Sequence, residues 1–168
     1  AIREYDYYAP DLNLDTESVD MVAGEYHNGQ LSDLMCQSAI YGDVLKYYQL
    51  LGENRQAIAY CTSIKHSKQT ADMFNQNGIS AISIDGSMSM NERDKLMDLF
   101  RNGKAQILCN CNLISEGVTL PNASVALLLR PTMSLPLFIQ QSCRVLTPVE
   151  GKKAVIIDYV NNCQKHGL

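Results

Sequence analysis

The sequence predicts an α/β domain, three layers deep, with a mainly parallel sheet. Short apolar runs recur at 56–61, 80–84, 105–111, 124–129 and 154–158, with helix-patterned stretches between several of them. The runs are nearly continuous in Ala, Ile, Val and Leu, as expected of strands covered on both faces. The links between elements are short, so right-handed crossovers place helices against the sheet. In such sheets ligands bind at the carboxyl ends of the strands.

The elements follow in order. Tyr5, Tyr7 and Tyr8 suggest an edge or lead-in strand, and residues 9–18, with Pro10, Asp11, Asn13 and Asp15, a loop. Leu31, Leu34, Met35, Tyr41, Leu45 and Tyr48 predict one long helix with Gly52 past its end. After the run at 56–61, Ile64, Ser67, Ala71 and Phe74 fall on one helical face, which Asn77-Gly78 terminates. Ser89-x-x-Glu92 is a capping box opening a helix with Leu96, Leu99 and Phe100 inward, closed by Asn102-Gly103. A further helix is expected from Ser134, with Pro136 in its first turn and Phe138, Ile139, Val145 and Leu146 along it. The expected organisation is a lead-in strand and loop over 1–30, then one domain over 31–168.

Composition narrows the function. A hydrophobic content of 46% with 19% charged residues describes a soluble globular chain. No apolar run approaches the roughly 20 residues of a membrane span, so no membrane partner is expected. The chain starts at Ala1 with no charged-then-apolar leader, which suggests a piece of a longer protein. Six cysteines occur without Cys-x-x-Cys or a Cys/His cluster, so no metal site is expected. Free thiols imply a reducing, cytoplasmic setting. His27, His66 and His166 are scattered and read as surface or core histidines. The net charge of −4 excludes binding nucleic acid by bulk charge. Any such contact must be local and shared with another domain.

The strand ends carry the candidate chemistry. Thr62-Ser63 opens a helix, where hydroxyls beside exposed amides suit a phosphate or simply cap the helix. Asp85-Gly86-Ser87 follows the next run, where glycine permits close backbone approach or a tight turn. Asn112 to Gly117 is a polar loop with a glutamate, Glu116, expected to be buried. The chain has no Gly-x-x-x-x-Gly-Lys-Ser/Thr and so cannot cradle a triphosphate itself.

Taken in order, these segments resemble the C-terminal RecA-like (P-loop NTPase-type) domain of superfamily-two helicases, the group containing DEAD-box and UvrB-like proteins. The resemblance covers Asp33 to Asn162. Ala57 to Ser63 is similar to helicase motif IV. Ile84-Asp85-Gly86-Ser87 with Glu92-Arg93 and Leu99-Phe100 matches the segment after it. Leu108 to Pro121 resembles motif V, and Gln140-Gln141-x-x-Arg144 the start of motif VI, with Arg130-Pro131-Thr132 before it.

The resemblance implies an ATP-driven helicase or translocase on DNA or RNA, with ATP and Mg held mainly by an N-terminal RecA-like domain of the same protein. Thr62, Ser63, Gly86, Ser87, Cys111 and Asn112 would line the strand. Glu116, Gly117 and Thr119 would connect that grip to the nucleotide, and Gln140 and Arg144 would face its γ-phosphate. This chain alone would hydrolyse no ATP.

Three positions depart from the family pattern. Cys143 replaces a glycine, Thr147 the second arginine of motif VI, and Thr119 the aspartate of motif V. Threonine has neither the charge nor the planar fork of a guanidinium. These departures support an alternative: a weakened accessory RecA-like domain that binds nucleic acid or a protein without turnover. An unrelated doubly wound enzyme is disfavoured, because no Gly-x-Gly-x-x-Gly follows the first strand and no nucleophile–base pair can be placed.

Overall fold

The computed structural model describes residues 5–12, 21–22, 25–26, 28–114, 116–130 and 151–160. Its main sheet has six strands: β1 (Tyr5–Tyr8), β4 (Ala57–Tyr60), β5 (Ala81–Ile84), β6 (Ile107–Asn110), β7 (Val125–Leu128) and β8 (Ala154–Asp158). They lie in the order β1-β8-β7-β4-β6-β5, and every neighbouring pair is parallel. A separate two-stranded ladder pairs β2 (Met21–Val22) with β3 (Glu25–Tyr26) antiparallel. The helices are α1 (Asn28–Met35), α2 (Ser38–Leu51), α3 (Ile64–Gln76) and α4 (Met90–Arg101).

Side-chain alternation along each strand builds two cores. Ala57, Ala59, Cys109, Leu127 and Ile157 face Val44 and Tyr48 of α2 and Ala71 and Phe74 of α3. Ile58, Tyr60, Leu108, Leu128 and Ile156 face Met97 and Phe100 of α4. β4, β6, β7 and β8 are buried throughout, which explains their unbroken apolar runs. β1 pairs with β8 from Tyr5↔Ala154 to Tyr8↔Ile157, and the Tyr7 hydroxyl donates to Asp158 Oδ2. The expected lead-in segment thus contributes the edge strand of the same sheet.

Three local expectations need correction. The long helix is two helices, α1 and α2, parted at Cys36-Gln37, where Gln37 is extended. Leu31 and Met35 are buried four residues apart, as are Ile40, Val44 and Tyr48, but Met35 to Ile40 is a step of five. One straight helix cannot bury both sets on a single stripe. In α4 the buried pair is Met97 and Phe100, while Leu99 is 39% exposed, so the stripe is rotated by one residue. Ile64, expected inward, is 38% exposed at the start of α3. The helix expected from Ser134 lies outside the described residues.

Both expected helix endings hold at α3 and α4. The Ser89 hydroxyl accepts from the Glu92 amide, and Gly78 and Gly103 take φ of 78° and 74° just past their helices. Gly52 is different: its φ is −83°, and a Cβ there would sit 2.6 Å from the Tyr48 carbonyl oxygen. Close packing, not backbone conformation, requires glycine at that helix end.

Candidate functional site

β4 sits at the middle of the sheet with β7 on one side and β6 on the other. The chain leaves β4 through α3 toward β5, whereas from β7 it continues to β8 on the opposite side. This reversal places a crevice at the carboxyl ends of β4 and β7, with the ends of β6 and β5 beside it. The rim therefore carries, in spatial order, Arg130, Thr62-Ser63, Cys111-Asn112 and Asp85-Gly86-Ser87. Arg130 Nη1 donates to the Thr62 carbonyl oxygen at 3.4 Å, bridging the crevice.

Each turn is shaped by its own polar side chains. Ser63 caps α3: its Oγ accepts from the His66 amide at 3.0 Å and lies 2.6 Å from Ser32 Oγ. Thr62 is fully buried, and its N–H donates to His66 Nδ1 at 3.0 Å, with Oγ1 equally close. Because Nδ1 accepts, the imidazole carries its proton on Nε2, which is buried without a partner. Burial pushes the His66 pKa down to about 4. At the next turn, Asp85 is fully buried; its Oδ1 takes the Ser87 N–H at 2.8 Å and the Ser87 hydroxyl. Asp85 Oδ2 has no partner.

The third turn follows Asn110, whose Nδ2 donates to the Ala59 carbonyl at 3.1 Å and ties β6 to β4. Asn112 takes a left-handed φ of 58°, and the chain folds back with Glu116 N–H donating to the carbonyls of Asn112 and Leu113 at 3.2 and 3.1 Å. Gly117 needs to be glycine here, with φ of 81°. Burial pushes the Cys111 thiol up to about 11. The Arg130 charge opposes that rise, while Cys61, Glu116 and Asp85 add to it, so these groups surround Cys111.

The geometry redistributes the expected roles. Ser63 is half-buried, and Gly86, Ser87, Asn112, Glu116 and Gly117 are exposed on or beside the rim, whereas exposed Thr119 adjoins Leu120 and Pro121, which lie beside Gln56 at the amino ends of the strands. Thr62 and Cys111 are buried beneath it and shape the turns from below. Glu116, expected to be buried, is exposed because the left-handed Asn112 turns the loop outward. Gln140 and Arg144 lie outside the described residues. Sequence reading gave no role to His66, Asp85 or Ser32. Only the four-residue spacing from Thr62 to His66, one helical turn, signals that the imidazole can reach back to the turn.

The helicase conserved C-terminal domain family matches residues 41–147. The chain belongs to that family. This helicase C-terminal domain is 41% identical over 167 residues to a 51.5 kDa protein of Lactococcus phage (isolate 7-9), covering 99% of the chain and 36% of the phage protein. It is 25% identical over 121 residues to the ATP-dependent RNA helicase DBP2 of Chaetomium thermophilum, covering 70% of the chain and 22% of DBP2. A DEAD box protein of Methanococcus jannaschii superposes with a TM-score of 0.61 at 17% identity, over 99% of the chain and 38% of that structure. The sheet is thus that of a RecA-like helicase C-terminal domain. The chain spans little more than a third of its phage relative and less of DBP2.

Among its described residues, the helicase C-terminal domain has no group of three His, Cys, Asp or Glu side chains placed to hold a metal, and no helix long and apolar enough to cross a membrane. The four described cysteines, 36, 61, 109 and 111, are free thiols. Besides the exposed Asn112 and Glu116, the rim carries backbone amides. Those of Ile64 and Lys65, in the first turn of α3, have no partner within the helix.

Proposed function

We propose that this domain is the second motor domain of an ATP-dependent nucleic-acid helicase or translocase, and that its rim holds strand phosphates. The observation that carries the reading is the gathering of the β4, β5 and β6 turns on one edge of the sheet. The α3 amino terminus offers amides to one phosphate. Gly86-Ser87 and Asn112 offer two further exposed positions beside it. The hydroxyls of Thr62, Ser63 and Ser87, and the Ser87 amide, are engaged within the protein, so they hold the turns, and the α3 amides make the contacts.

Glu116, Gly117 and Thr119 bring no cation to the rim, so these residues do not fit a triphosphate cradle. ATP with Mg, held by an N-terminal RecA-like partner domain, supplies the phosphoryl group and its charge neutralisation. What this chain would add, by the resemblance, is Gln140 and Arg144 at the γ-phosphate and the Asn112–Gly117 loop as the link to the strand. Relatives named as ATP-dependent helicases support the use of ATP. The accessory reading draws on the departures at Thr119, Cys143 and Thr147.

A contact made by local amides on a chain of net charge −4 is weak and touches few phosphates. With about three phosphates engaged, the log–log dependence of single-strand affinity on salt has a slope no steeper than about −2, the value for three fully neutralised phosphates. Fluorescence anisotropy of a labelled oligonucleotide across a salt series measures it. A tight, salt-independent complex contradicts the phosphate reading.

A further inference from the structure

Gly86 has no conformational reason to be glycine. Among the described residues the glycines that adopt a left-handed φ are Gly78, Gly103, Gly117 and Gly151, and Gly86 is not one of them. What a side chain at this position would strike is the carboxylate of Glu116. A Cβ built on Gly86 lies 2.6 Å from Oε2, 3.2 Å from Oε1 and 3.3 Å from Cδ. The carboxylate therefore lies across the bare Cα and fills the space above the β5–α4 turn.

Little holds it there. The Glu116 amide anchors the loop, but the side chain makes no hydrogen bond or ion pair among the described residues. Below the turn sits buried Asp85, whose Oδ2 has no partner. The Glu116 carboxylate thus lies over Gly86, and a phosphate brought to the exposed face of this turn would be a second negative group at short range. Such like charges oppose one another. Glu116 is exposed and has three side-chain torsions, so it leaves without disturbing the fold.

We propose that the Glu116 carboxylate and a strand phosphate are alternative occupants of the seat above Gly86, so that a binding strand expels Glu116. The missing Cβ makes the seat; it gives room for one anion and not for both. Expulsion changes what the Asn112–Gly117 loop presents, so the loop reports whether the rim is filled. The phosphate half of this inference rests on the strand-binding reading above, whereas the carboxylate seat rests on geometry alone.

The test uses Glu116→Gln in the full-length protein, which keeps the side chain's size and removes its charge. Removing an exposed opposing charge corresponds to about two- to five-fold tighter binding of a labelled oligothymidylate or oligouridylate at low salt. Glu116→Ala, which empties the seat, tightens binding at least as much. Unchanged or weaker binding in both variants overturns the competition. A second measurement needs no strand: Glu116→Gln shifts the amide resonances of Gly86 and Ser87 and leaves that of Gly103 in place. If those two amides do not move, the seat is wrong. If neither wild type nor variants bind any strand, the strand reading fails and the competition with it, and the amide shifts then judge the seat by itself.

Discussion

Arg144→Ala in the full-length protein lowers nucleic-acid-stimulated ATP turnover by about 10³- to 10⁵-fold, the range of an arginine that meets phosphoryl-transfer charge. That is about 4–7 kcal/mol of barrier. The loss falls on turnover, because the role proposed for Arg144 is in the nucleotide cleft and the proposed strand site is at the β4, β5 and β6 turns. Single-strand affinity therefore stays close to wild type. Steady-state turnover and anisotropy on the same preparation separate the two. The position of the second motif VI arginine is Thr147, so no neighbouring guanidinium within the motif covers for the loss. Normal turnover by the variant would remove Arg144 from the mechanism and favour the accessory reading.

Acid is expected to destabilise this domain through His66. In the unfolded chain the imidazole titrates near 6.5, and in the fold burial holds it at about 4. Because the folded pKa is depressed, the unfolded state takes up the proton first. The neutral imidazole's contribution is complete above about pH 6.5 and is lost as pH falls toward 4, below which it changes no further. Across that window the loss is about 3 kcal/mol. Protonation also removes the acceptor at Nδ1 on which the Thr62 N–H depends, so the turn beneath the strand rim loosens with it. His66→Asn places a non-titrating acceptor at the same point. Urea unfolding at pH 7 and at pH 4.5 checks this: wild type loses more stability than the variant by most of that amount. Equal losses would mean that the histidine is not buried neutral.

The sheet was legible because burial on both faces writes itself as continuous apolar runs, and every such run became a parallel strand. Both helix ends marked by a polar residue and glycine, at Asn77-Gly78 and Asn102-Gly103, were legible for the same local reason. The break between α1 and α2 was present in the sequence as the five-residue step from Met35 to Ile40, which a count of apolar residues passes over. The rim was legible as a set of strand ends, but not the use made of its hydroxyls. Thr62, Ser63 and Ser87 look alike as candidate donors, and only packing shows that each is turned inward, to His66, Ser32 and Asp85. Glu116 against Gly86 joins positions thirty residues apart, and no local pattern encodes that contact.

The strand-binding rim is tested most directly by backbone amide hydrogen exchange of the full-length protein with and without a saturating single strand. The account predicts slowed exchange within this domain concentrated at 62–66, 85–88 and 111–117, the three turns on one sheet edge. Protection confined to the groove between α2 and α3 around Tyr41, Asp72 and Gln76, with the three turns unchanged, would contradict it.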